Sequence, residues 1–173
     1  MTDPHIWLDP IRLGLVAGAI RDQLTAVDPG HAAAFAANYA AVEARLGQLD
    51  QAYRTGLADC QRSSFITTHA AFGYLADRYD LTQIAIAGVS PDAEPSPLHI
   101  ADIQATAARE GITTIFFETL VSPALAEAIA GDLRLTTDVL DPIEGITDQS
   151  RGADYFEIME SNLTALRQAN GCR

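Results

Sequence analysis

One histidine and two acids stand where short apolar runs break into turns: His69 after Ser63-Ser-Phe-Ile-Thr-Thr68, Glu118 after Ile115-Phe-Phe117, and Asp141 after Val139-Leu140. Imidazole nitrogen suits the borderline zinc ion and carboxylate oxygen suits zinc or the harder manganese, so these three side chains on one rim would form a partial metal site. On spacing alone the alternative stays open that His69 caps a turn and the acids are solvated. His5, in Asp3-Pro-His-Ile-Trp-Leu-Asp-Pro10, sits between a turn-forming pair and a helix cap, and no spacing ties it to His69. His31 and His99 fall in the first turns of helices and read as solvent-facing, and Glu94 and Glu110 read as exposed charge. Other chemistries lack their residues: there is no G-x-S-x-G, no H-E-x-x-H, no P-loop and no G-x-G-x-x-G, and Cys60 has no neighbouring histidine.

The elements that would position such a rim follow from pattern. Short strand-like runs at 63–68, 83–87, 112–117 and 135–140 alternate with helical stretches at 70–79, 97–109 and 123–133, and Phe156, Met159, Leu163 and Leu166 mark a closing helix. Alternating β and α elements with continuous apolar strands predict an α/β fold, a four-stranded, mainly parallel sheet flanked by helices. In such sheets ligands bind beyond the carboxyl ends of the strands, which is where His69, Glu118 and Asp141 stand.

Two helices precede the sheet. Leu13, Val16, Ile20, Leu24 and Val27 share one face of a helix over 10–28, and Phe35, Tyr39, Val42, Leu46, Leu49, Tyr53 and Leu57 recur for about seven turns of a longer one. Asp9-Pro10, Asp28-Pro29, Ser96-Pro97 and Ser122-Pro123 supply four helix starts, an acceptor for free N–H groups followed by a residue that lacks one. Residues 88–97 are rich in proline and read as a surface loop.

Composition narrows the function classes. The chain of 173 residues is 48% hydrophobic and 20% charged, an ordinary globular balance, with no run of about 20 apolar residues to span a bilayer and no export signal at its start. Its 23 acids face 11 arginines and no lysine, a net charge of -12, which repels nucleic acid and anionic membrane and attracts cations. Cys60 and Cys172 are two buried thiols or one disulfide.

Five stretches together carry a family resemblance. Asp3-Pro-His-Ile-Trp-Leu-Asp-Pro10, Thr68-His-Ala-Ala-Phe-Gly-Tyr-Leu75, Glu94-Pro-Ser-Pro97, Ile115-Phe-Phe-Glu118 and Leu140-Asp-Pro-Ile143 follow the order and approximate spacing of the ZnuA/TroA-type solute-binding proteins, the cluster A-I zinc and manganese receptors of bacterial ABC importers. The chain resembles the C-terminal half of such a protein.

The resemblance implies two lobes joined by a long rigid helix, with the metal in the cleft between them. It implies residues 1–28 as the end of an N-terminal lobe, 29–59 as the connecting helix and 60–173 as the C-terminal metal-binding lobe. His5, His69 and Asp141 are the implied ligands, and Glu118 shapes the cleft without ligating. Histidine at position 69 favours zinc over manganese, since manganese-selective relatives tend to carry glutamate there. An ABC permease is the implied partner and an extracytoplasmic site the implied location, where a Cys60–Cys172 disulfide would persist.

Family members begin with an export signal or lipoprotein start and an N-terminal lobe bearing another metal-binding histidine, whereas Met1 here is followed almost at once by the first motif. The expectation is therefore a truncated or engineered fragment, or a receptor completed by a separate chain. Such a half-site would bind zinc weakly, and the helix over 10–28 would expose an apolar face inviting a homodimer. The competing readings are a repurposed lobe acting through protein contacts without metal and a metal-dependent hydrolase built on His69, Glu118 and Asp141.

Overall fold

A computed structural model describes residues 2–90 and 95–173. Residues 91–94, which include Glu94 and the middle of the proline-rich stretch, lie outside the described residues. After a 3-10 turn at Ile6–Leu8, helix α1 spans Pro10–Val27 and α2 spans Ala32–Gly56. The α/β part follows as β1 (Ser64–Thr67), α3 (Gly73–Arg78), β2 (Thr82–Ala85), α4 (Pro97–Glu110), β3 (Thr114–Phe117), α5 (Ala124–Leu133), β4 (Thr136–Val139) and α6 (Tyr155–Asn170).

The four strands form one parallel sheet in the order β2-β1-β3-β4. Side chains alternate across it. Phe65 and Phe116 face a core built with Leu49, Tyr53, Leu75 and Leu166 from α2, α3 and α6, while Ile66 and Ile115 face Ile103, Ala107 and Ile129 from α4 and α5. Both faces are thereby covered, as the apolar strands require. The chain steps from β1 outward to β2, then crosses back to β3 on the other side of β1. The β1/β3 boundary is the topological switch point, and the chain leaves its carboxyl ends through His69 and Glu118.

The caps work unequally. The Asp9 side chain accepts from the N–H groups of Ile11 and Arg12, and Ser96 accepts from that of His99. Ser122 accepts from the N–H of Ala124 at the start of α5. Asp28 instead opens a 3-10 turn at Pro29–His31 and holds the His31 ring at 2.7 Å, so α2 starts without a side-chain cap.

The second half of α2 packs into the core through Leu46, Leu49 and Tyr53, whose hydroxyl donates to the Met159 carbonyl oxygen at 2.8 Å. Its first half pairs with α1, and this hairpin keeps Leu15, Ile20, Leu24 and Val27 exposed. No described helix is long and apolar enough to cross a membrane. Cys60 and Cys172 form a disulfide that joins the exit of α2 to the end of α6.

Candidate metal centre

His69 is fully buried just past β1. Its Nδ1 meets Glu118 Oε1, which also accepts the Thr68 hydroxyl hydrogen at 2.6 Å. With Nδ1–H donating to a carboxylate, the neutral ring presents an Nε2 lone pair. That Nε2 is buried and has no hydrogen-bond partner among the described residues. Gln83 on β2 donates to the His69 carbonyl oxygen at 3.0 Å and Thr67 donates to it at 2.7 Å, so the backbone is pinned as well.

His5 repeats the arrangement from a different part of the chain. Its Nδ1 lies 2.7 Å from Asp3 Oδ1, which also accepts the His5 backbone N–H, and its Nε2 lies 2.9 Å from Glu144 Oε1. The two imidazoles meet at a ring-centroid distance of 5.3 Å. Glu144 Oε1 is 4.0 Å from His69 Nε2. One donor atom from each of His5, His69 and Glu144 lies within 4.8 Å of the others. A tetrahedral ion with bonds of about 2.0–2.1 Å separates its ligands by about 3.3 Å, so modest side-chain shifts would bring all three onto one ion.

Asp141, expected as the carboxylate ligand, lies outside this group, and Glu144 three residues on stands in it. The cause is the turn. Asp141 is buried and spends its carboxylate on its own loop and on the turn after β3: Oδ1 accepts the Ile143 N–H at 2.8 Å, and Oδ2 accepts the hydroxyls of Ser150 at 2.8 Å and Thr119 at 3.3 Å. Asn162 on α6 clamps the Asp141 backbone with two hydrogen bonds of 2.9 and 2.7 Å. Ile143 takes a left-handed conformation, φ 58°, uncommon for a β-branched residue. That bend carries the chain back toward the histidines.

The segment bearing His5 is fastened to the same turn, because Trp7 Nε1–H donates to the Pro142 carbonyl oxygen at 2.7 Å and the Tyr155 hydroxyl donates to that of Trp7 at 2.7 Å. Motif spacing does not single out Glu144 or Asp3. The available signal was an acid following a strand end by a short Pro-containing turn. His31 and His99 lie away from the group; His99 Nε2 meets the Ala85 carbonyl oxygen of the sheet-edge strand β2 at 3.1 Å.

The electrostatics follow from burial among acids. Desolvation disfavours a charged His69, but the hydrogen bond and charge of Glu118, with Glu144 and Asp3 beyond it, outweigh that and hold the imidazole above its ordinary value. Three carboxylates around two buried imidazoles make negatively charged surroundings that favour a cation.

A family model for the zinc-uptake complex component A, periplasmic (ZnuA), matches residues 2–169. The chain belongs to the ZnuA family. It is 44% identical over 168 residues to the zinc-binding lipoprotein AdcA of Streptococcus pneumoniae R6, a match covering 96% of this chain and 34% of AdcA. Among solved structures, the laminin-binding protein Lbp of Streptococcus pyogenes superposes with a TM-score of 0.90 at 34% identity, over 97% of this chain and 65% of that one. The Zn(II)-bound ZnuA-like domain of S. pneumoniae AdcA gives 0.81 at 42% identity, over 97% and 64%. The chain thus spans about a third of AdcA's length and under two thirds of either solved chain.

Proposed function

We propose that this chain is the metal-presenting part of a zinc solute-binding protein that serves an ABC importer. The observation that carries the reading is the pair of buried histidines, each with Nδ1 on a carboxylate and Nε2 turned toward Glu144. A carboxylate behind each imidazole fixes the tautomer and raises its basicity, as at zinc sites generally. Two imidazoles among three donors favour zinc over manganese, which prefers oxygen-rich sets. His5, His69 and Glu144 hold the ion, Glu118 and Asp3 orient the histidines, and Asp141 anchors the turn that aims Glu144.

Residues 1–28 form the end of a preceding lobe, 29–59 the connecting helix and 60–173 the binding lobe. The exposed apolar side of the α1–α2 hairpin is where the preceding lobe packs; without it, that side associates with a second copy. A fourth ligand comes from the opposite wall of the cleft, and the loaded receptor delivers zinc to a membrane permease. The disulfide fits an extracytoplasmic location.

Titration calorimetry of this chain with zinc tests the reading. One-to-one binding should be abolished by His69→Ala, strongly weakened by Glu144→Gln, and weaker for manganese throughout. Zinc binding that survives His69→Ala unchanged would overturn it.

A further inference from the structure

At the end of the sheet opposite His69, beside Ser63 and the disulfide, lies a cavity of about 400 Å³. Its lining includes Arg54, Leu57, Arg62, Arg78, Asp80 and Leu81. Three of the chain's 11 arginines thus meet in one concavity of a molecule whose net charge is -12.

Each guanidinium is anchored from behind. Arg78 donates through Nε to Asp50 Oδ1 at 2.7 Å and lies 3.3 Å from Asp9 Oδ1, and Arg54 donates through Nε to Asp50 Oδ2 at 2.9 Å. Asp50 therefore sits between two guanidinium groups. Arg62 donates Nε–H and Nη2–H to the Ala169 carbonyl oxygen at 3.2 and 2.9 Å. Both Nη atoms of Arg54 and Arg78, and Nη1 of Arg62, have no hydrogen-bond partner among the described residues. Arg54 and Arg78 occupy the last turns of α2 and α3, where helix dipoles favour cations. That accounts for two of the arginines, but neither for Arg62 nor for a concavity walled by all three.

We propose that this cavity binds the phosphate group of a small organic phosphate ester. Guanidinium forks fixed at Nε and open at Nη pair with the oxygens of a phosphate, and their fixation lowers the ordering cost of binding. Asp9, Asp50 and Asp80 offset the three positive charges, so the open Nη–H groups, and not a net positive charge, recognise the phosphate. The cavity has room beyond a bare phosphate, and Leu57 and Leu81 offer apolar surface to the ester's carbon chain. The site is independent of the metal group, which lies at the other end of the strands.

The test is calorimetric titration of the metal-free chain at low salt with glycerol 3-phosphate and with inorganic phosphate, beside co-sedimentation with phosphatidylglycerol and phosphatidylcholine vesicles. The expected result is saturable one-to-one binding, weakened about fivefold or more by Arg54→Gln and by Arg62→Lys. Arg109→Gln, at an exposed arginine on α4, should leave it unchanged, and the Arg54→Gln chain should bind zinc as before. Binding of the soluble ester alone identifies a free phosphate ester as ligand. Added Arg54-dependent retention on phosphatidylglycerol vesicles identifies a lipid headgroup. No saturable binding of any probe, or equal losses in Arg54→Gln and Arg109→Gln, would overturn the proposal.

Discussion

In the proposed site Glu118 acts on the ion only through His69, and its removal should be felt there. Glu118→Gln keeps the volume but can turn an N–H toward Nδ1, which favours the wrong tautomer and withdraws the Nε2 lone pair. Zinc affinity by calorimetry should fall about 10- to 100-fold, the usual effect of losing a carboxylate behind a ligating histidine, while the melting temperature changes little. Asn162→Ala acts one step further out. It leaves the Asp141 backbone N–H and carbonyl oxygen unpaired in a buried position, which should cost about 1–3 kcal/mol in denaturant unfolding. Zinc should also bind more weakly, because the turn bearing Glu144 loses its anchor. At this scale the sequence points to the two histidines that the structure brings together and hides the acid that stands with them. His69 is visible because a strand ends on it, and His5 because its motif is distinctive. Which of Asp141 and Glu144 stands with the histidines depends on a left-handed Ile143 and on an aspartate bonding its own loop, and neither leaves a mark in residue spacing.

Among the elements, Asp50 on α2 joins α3 through Arg78 and Tyr79. Burial alone would raise its carboxyl pKa, but hydrogen bonds from Arg78 and Arg54 pull it below the ordinary value of 3.8. A depressed carboxylate stabilises the fold above its unfolded pKa, near 4, and that contribution fades as pH falls through the lower folded value. Asp50→Asn should therefore cost about 1–2 kcal/mol at pH 7. Wild type and variant should converge as acid unfolding is followed by circular dichroism below pH 4. The disulfide is the other tie between elements, closing a separation of 112 residues. In the chain-entropy model a loop of this length contributes about 4 to 5 kcal/mol. Thiol titration of the unreduced, unfolded chain should find no free thiol, and Cys172→Ser should lower the melting temperature markedly. The alternation of elements is legible because strand and helix periods differ so clearly, and each strand lies within about two residues of the pattern that announced it. The order β2-β1-β3-β4 is less legible, since local patterning carries no information about which strands become neighbours.

For the whole molecule, the exposed side of the α1–α2 hairpin is the feature expected to govern behaviour in solution. Leu15 is 72% exposed and Val27 84%, and Ile20, Leu24, Phe35 and Val42 line an apolar groove of about 210 Å³. Sedimentation velocity should show self-association that grows with concentration, and Leu24→Glu should shift the chain toward monomer without altering zinc binding. The strong negative charge works against association, so added salt should promote it. The bond between Cys60 and Cys172 also divides the molecule by topology. Everything from β1 to α6 lies inside one covalent ring, whereas α1 and α2 hang outside it as a tail. A protease that cuts once between Cys60 and Cys172 leaves a single covalent body, and one that cuts within α2 severs α1 and the His5 segment together, leaving them held by non-covalent contacts alone. Zinc retention after cleavage would then depend on which side of Cys60 the chain was opened.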